Sequence, residues 1–197
     1  MRLLATTALV LVLAACGQTT TVTPAEEPPA AEAPAVDANA ITSVGWNGLR
    51  IGMTRAEVTA ALGDEANPNA VGGNDPAACD LYRPANAPEG VLVMIERDVP
   101  TSIIVRNNTD LRTDRGFGVG SNASEIKTAY GASAQVQAHR YVEGAEYITV
   151  WTANAPAANG YTENAAARGI RYETNAQGVV TAVQAGGPSI QYVEGCS

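Results

Sequence analysis

The chain is poor in the residues that carry most enzyme chemistry. It has one histidine, His139, and one lysine, Lys127. No basic cluster appears, and 20 acids against 12 bases give a formal charge of −8. Nucleic acid and anionic lipid headgroups need a dense positive patch, so both are poor partners. A single histidine leaves one candidate base for a Ser–His–Asp or Cys–His arrangement, and no serine sits in a Gly-x-Ser-x-Gly elbow. His139 therefore reads as a structural or surface residue in a strand. Asp64–Ala78 is rich in oxygen side chains, but it lacks the alternating ligands and closing glutamate of a calcium loop. Gly116, Gly118 and Gly120 precede a helix, yet Ser121 stands where a dinucleotide loop needs its third glycine. These are turn glycines. No metal and no cofactor are expected.

Long apolar runs are also missing. Met1–Ala15 has one arginine, a short apolar run and small residues at its end, which are the marks of a signal peptide. It falls short of the roughly 20 apolar residues of a permanent span. Leu13–Cys16 reads LAAC. That tetrapeptide resembles the bacterial lipobox, and the resemblance implies lipidation of Cys16 after cleavage before it. Gly17 rather than aspartate follows, which in such lipoproteins points to the outer membrane. Residues 16–40 are rich in Thr, Pro, Ala and Glu and have no apolar periodicity, so they read as a disordered tether. About 22 residues at about 3.1 Å each reach up to roughly 70 Å. Setting aside Glu26, Glu27, Glu32, Asp37 and Arg2 leaves 16 acids against 11 bases in the remainder, a balance of −5.

Cysteine is scarce, with three in the chain. With Cys16 lipidated, Cys79 and Cys196 remain. In an oxidising compartment two remaining thiols favour one bridge. Two thiols alone are too few for a metal site.

One stretch recurs. Leu49–Gly63, LRIGMTRAEVTAALG, returns about 68 residues later as Phe117–Gly131, FGVGSNASEIKTAYG. An internal repeat governs the reading of a fold. Thr54 and Asn122 are N-cap residues, each with a glutamate three positions on, Glu57 and Glu125, the spacing of a capping box. Val58, Ala61 and Leu62 share one helical face, as do Ile126, Ala129 and Tyr130. Gly63 and Gly131 stop the helices.

Strands are expected at Val91–Arg97, Ser102–Arg106, Tyr147–Thr152, Ile170–Thr174, Val179–Gln184 and Ile190–Val193, where β-branched runs lie between turn residues. The fold expected is α+β: two tandem helix-plus-antiparallel-meander repeats, residues 41–112 and 113–197, with short helices on one face of a sheet. In Tyr147–Thr152, Ile148 and Val150 point one way and Tyr147, Thr149 and Trp151 the other. If the helices cover the aliphatic side, Tyr147, Thr149 and Trp151 form an open binding face.

Gly48–Gly63, with its Gly-Met-Thr, capping glutamate, valine and terminal Leu-Gly, is similar to the repeat of the β-lactamase-inhibitor-protein-like fold. Small outer-membrane lipoproteins of the SmpA/OmlA (BamE) type share that signature. The resemblance covers about 16 residues per copy and is weaker in the second, where Ser121-Asn122 replace Met-Thr. It implies helices on one face of a sheet whose concave face binds proteins, and no enzyme activity. The function expected is a lipid-anchored, outer-membrane, periplasm-facing module that binds an envelope protein without catalysis. An envelope hydrolase, or an inhibitor of a secreted enzyme, is the alternative.

Overall fold

Runs of Val and Ile dictate where the backbone extends, and glycine, proline and asparagine dictate where it turns. The structure, a computed structural model, describes residues 37, 39–68, 70, 73, 75–157 and 160–196. The expected signal segment, Cys16 and nearly all of the tether lie outside the described residues.

A short ribbon comes first, β1 (Gly45–Trp46) paired with β2 (Leu49–Arg50). Helix α1 (Arg55–Leu62) follows, then β3 (Cys79–Tyr82), β4 (Val91–Glu96) and β5 (Val99–Arg106). Helix α2 (Ala123–Tyr130) leads to β6 (Ala134–Ala138), β7 (Glu146–Ala153), β8 (Arg168–Thr174) and β9 (Val180–Gly186). A 3-10 turn at Pro188–Gln191 opens the C-terminal segment. The seven strands β3 to β9 form one sheet in the order β3-β4-β5-β9-β8-β7-β6, antiparallel throughout.

This corrects the expected α+β architecture of two tandem helix-plus-meander repeats. The protein is mostly sheet, with two eight-residue helices laid on it. Its halves are unequal, three strands against four. The physical reason is the pairing of β5 with β9, Ser102 to Arg106 against Ala182 to Gly186. It makes one ladder of what the sequence repeat suggests as two units. The strand expected at Ile190–Val193 is also corrected: Pro188 lacks the N–H a ladder needs, and the chain coils there instead. β3 and β6 were missed because Cys-Asp-Leu-Tyr and Ala-Gln-Val-Gln-Ala carry too few β-branched residues to stand out.

Both helices pack into the same core. Val58 and Leu62 of α1 and Ala123 and Ile126 of α2 join Val93, Ile95, Ile103, Ile148, Tyr172 and Val183. The helix ends depart from strict repetition. At α1 the capping box is complete: Thr54 Oγ1 accepts from Glu57 N at 3.3 Å, and Thr54 N donates to Glu57 Oε2 at 2.7 Å. At α2 the Asn122 side chain accepts from Ser124 N at 2.9 Å and from the Ser124 hydroxyl at 2.8 Å. The hydroxyl at the second helical position draws the cap oxygen to itself, so Glu125 gains no reciprocal role. Gly63 and Gly131 end the helices at φ 84° and 53°, where a side chain would strain the backbone.

The Thr54 backbone N–H first, and its hydroxyl second, hold the Glu57 carboxyl below its ordinary value. A depressed carboxylate contributes stability that is present above its unfolded value and lost as pH falls through the lower folded one. Glu57→Gln should therefore be less stable than the wild type at neutral pH, with the difference vanishing on acidification. Chemical denaturation of both proteins across the acid range measures it, and a difference independent of pH would rule out the charged cap.

Candidate functional site

The sheet has two faces, and the expected site residues lie on the one away from the helices. Registers place them in cross-strand rows: Thr149 beside Arg171, then Gln184 and Ile104. Trp151 lies beside Gly169, then Gly186 and Ser102. The expected open face is corrected here, because residues 187–196 cross it as a strap. Gly187 N donates to Thr101 O at 2.9 Å. Ile190 is fully buried, and its carbonyl accepts from Arg171 Nη1 at 3.0 Å. The strap ends at the Cys79–Cys196 disulfide, with Cα atoms 5.4 Å apart. The pairing expected from the cysteine count is thus present, and its place in the fold explains it: it fastens the strap to an edge strand.

Under this cover Tyr147 and Thr149 are buried, at 5% and 8% exposure. The Tyr147 ring is stacked by His139 from the β6 side, centroids 4.5 Å apart, and by the Arg171 guanidinium from the β8 side, at 3.6 Å. Trp151 is partly buried. Its indole lies so close over Gly169 that a Cβ there would stand 2.8 Å from a ring carbon and 3.1 Å from Ile190 Cδ1. Tyr147 packs between His139 and Arg171, Thr149 is buried beside them in the sheet, and Trp151 packs over Gly169 next to Ile190 of the strap; sequence alternation alone had no means of showing what covers them.

His139 is equally committed. Its Nδ1 accepts from Tyr141 N at 3.1 Å and Val142 N at 3.2 Å. That fixes the proton on Nε2, which donates to Glu173 Oε1 at 3.2 Å. It follows β6 rather than lying in a strand, and its side chain is 8% exposed. Glu173 also faces Arg106 Nη2 at 4.0 Å. A histidine acting as general base needs a ring nitrogen free to take a proton, and this one has both engaged. Among the described residues no group of three His, Cys, Asp or Glu side chains is placed to hold a metal ion.

The feature that sequence reading missed is a groove of about 460 Å³ at one end of the sheet. Its walls come from four distant parts of the chain. Ile51 follows β2; Val99 and Pro100 begin β5; Tyr161 and Glu163 lie in the β7–β8 loop; Tyr192 belongs to the strap. Gln191 holds the loop in place, accepting from Thr162 N at 3.0 Å and donating to Thr162 O at 2.8 Å. Tyr161 is 63% exposed on the rim. Tyr192 donates to Glu96 Oε1 at 3.3 Å, and partial burial, with the Glu96 charge next, pushes its phenol up. Arg168 lines the groove but donates through Nη1 to the carbonyls of Ala165 and Ala167, at 2.8 and 2.7 Å. The arrangement suits an apolar side chain flanked by a cation. The one sequence signal was Tyr161, a lone aromatic in an Ala- and Asn-rich loop.

Two outcomes test this account. Trp151→Ala should cost about 2–4 kcal/mol of folding free energy, toward the lower part of the range for ring truncation because the indole is not fully enclosed. A loss under about 1 kcal/mol in a denaturation curve would restore the open-face reading. Reducing Cys79–Cys196, which closes 117 residues, should remove up to about 4–5 kcal/mol on the loop-entropy argument. An unchanged denaturation midpoint under reductant would show that the strap holds without it.

Compared with family models, with curated proteins and with solved structures, the chain matches none.

Proposed function

We propose that this protein is a lipid-anchored, periplasm-facing lipoprotein of the outer membrane whose folded part binds another envelope protein without catalysis. The single observation that carries the binding role is the groove of Ile51, Val99, Pro100, Tyr161 and Tyr192 with Glu96 and Glu163 beside them. Protein-binding surfaces centre on apolar and aromatic side chains, with Tyr among the commonest anchors, and carry polar groups around them. Glu96 and Glu163 outnumber Arg168 along the lining, so the carboxylates set the sign. The occupant is a segment of a protein partner with an apolar side chain next to Lys or Arg. The anchoring rests on the LAAC motif at Leu13–Cys16. The similarity of Gly48–Gly63 to the SmpA/OmlA (BamE) and inhibitor-protein signature agrees with a non-enzymatic role. The binding face moves from Tyr147, Thr149 and Trp151 to the groove.

Crosslinking in intact envelopes, followed by pull-down, tests the reading. Tyr161→Ala should weaken capture of the partner by about 2 kcal/mol or more and leave the melting temperature nearly unchanged, because the ring is mostly exposed. Capture that is identical with and without Tyr161 would remove the groove from the binding surface.

A further inference from the structure

The two edges of the sheet are finished differently. Just past the end of β3, residues 64–66 run beside residues 83–85: Ala66 N donates to Arg83 O and Ala85 N to Asp64 O, each at 2.8 Å. Asp80 is paired with Arg55 at 2.9 Å, and Cys79 carries the disulfide. At the other edge, among the described residues, β6 has a neighbour on one side only, β7, in unbroken register.

The hydrogen-bond phase of that edge can be read. Just past β6, His139 N donates to Ala145 O at 2.9 Å. Ala138 stands opposite Glu146 and Gln137 opposite Tyr147. Antiparallel pairs alternate, so Gln135 and Gln137 direct their backbone groups to β7, while Ala134, Val136 and Ala138 direct theirs outward. Ala134 N–H is taken by Gly131 O. Among the described residues, the Ala134 carbonyl and both backbone groups of Val136 and Ala138 remain without a partner.

β6 reads AQVQA, the same in both directions about Val136. A second copy laid antiparallel with a twofold axis at Val136 sets Ala134 opposite Ala138 and Val136 opposite itself. In that register the outward groups meet, the Ala138 carbonyl excepted, because Ala134 N–H is already taken. Each Val136 N–H reaches the other's carbonyl, and each Ala138 N–H reaches the other's Ala134 carbonyl. Strand edges are ordinarily guarded by charge, proline or a bulge. From Thr128 to His139 the sequence has no Asp, Glu, Lys, Arg or Pro. That absence matters most for identical strands, which otherwise set like charges against each other. Val136, 36% exposed, is the one large apolar side chain of the strand.

We propose that β6 is a self-pairing edge, and that two copies join there about Val136 into one continuous antiparallel sheet. The proposal uses none of the groove residues, so the two stand or fall separately. A foreign peptide would draw no benefit from the palindrome.

Light scattering of the purified full chain in detergent, corrected for bound detergent, tests it. The wild type should have the mass of a dimer. Val136→Lys and Val136→Glu each place a charge against its own copy and should be monomers with the wild-type circular dichroism spectrum. Mixed in equal amounts, the two should recover the dimer, since Lys then faces Glu. A monomeric wild type, a Val136→Lys protein that remains dimeric, or a mixture that stays monomeric would each overturn the proposal. If either variant is unfolded, Gln135→Lys with Gln137→Lys, on the opposite face of the same strand, takes its place, and a folded dimer of that protein would overturn it equally.

Discussion

The pairing of β5 with β9 is the constraint on which the rest depends. Ser102 to Arg106 meet Ala182 to Gly186, some eighty positions along the chain. Closing so large a loop costs entropy before any contact returns it. Once made, the ladder places Ile103 and Val105 in one layer with Val183 and Ala185, and both short helices then find a common floor. Helices of eight residues do not persist alone. Their existence therefore follows from the central ladder, although their caps are the most legible features of the sequence.

A sheet this apolar needs cover on both sides, and the chain supplies two kinds. The helices take one face. The other is closed by ten residues of irregular chain, which bring little backbone hydrogen bonding of their own. Three devices compensate: the buried Ile190, the Arg171 bond to its carbonyl, and the disulfide at the end. This solution carries a polar cost. The buried side-chain atoms without hydrogen-bond partners among the described residues are Ser102 Oγ, Arg171 Nε and Ser189 Oγ, all at the strap side. Burying a guanidinium is unfavourable, and burial lowers the affinity of Arg171 for its proton. Stacking on Tyr147 returns part of that cost and ties the strap to β7.

What could be read from the sequence was local, and what could not was topological. The Thr54–Glu57 cap, the glycine stops and the strong strands at β4, β5, β7, β8 and β9 follow from side-chain chemistry over a few neighbours. The Cys79–Cys196 bridge follows from counting thiols, given an exported chain. The order of strands follows from neither, and it turned two matching segments into one unequal sheet. The error at Tyr147, Thr149 and Trp151 has the same origin. Alternation correctly divided β7 into two faces, but it contains nothing about a strap that arrives forty residues later. Ile190–Val193 read as another strand because Ile and Val dominate its composition, while Pro188 upstream decided its geometry. The groove was invisible for the opposite reason: Ile51, Val99, Tyr161 and Tyr192 have no periodicity to share.

The difference between the sheet's edges is a further consequence of how the chain covers itself. The strap ends at β3, so the disulfide and the 64–66 segment both gather at that edge. β6 is left to the helix that precedes it. α2 runs straight through the Gly131–Ser133 turn into β6, and its Lys127 reaches over to Glu146 on β7 at 2.7 Å. The helix thereby lies over the start of β6, where Ala134 packs against the core, and leaves its outer rim. A strand entered so tightly has no spare chain to fold back along that rim, as residues 64–66 do for the chain just past β3. The register with β7 turns the backbone of Val136 and Ala138 outward, and the same short connection that fixes the helix on the sheet supplies no chain to cover them.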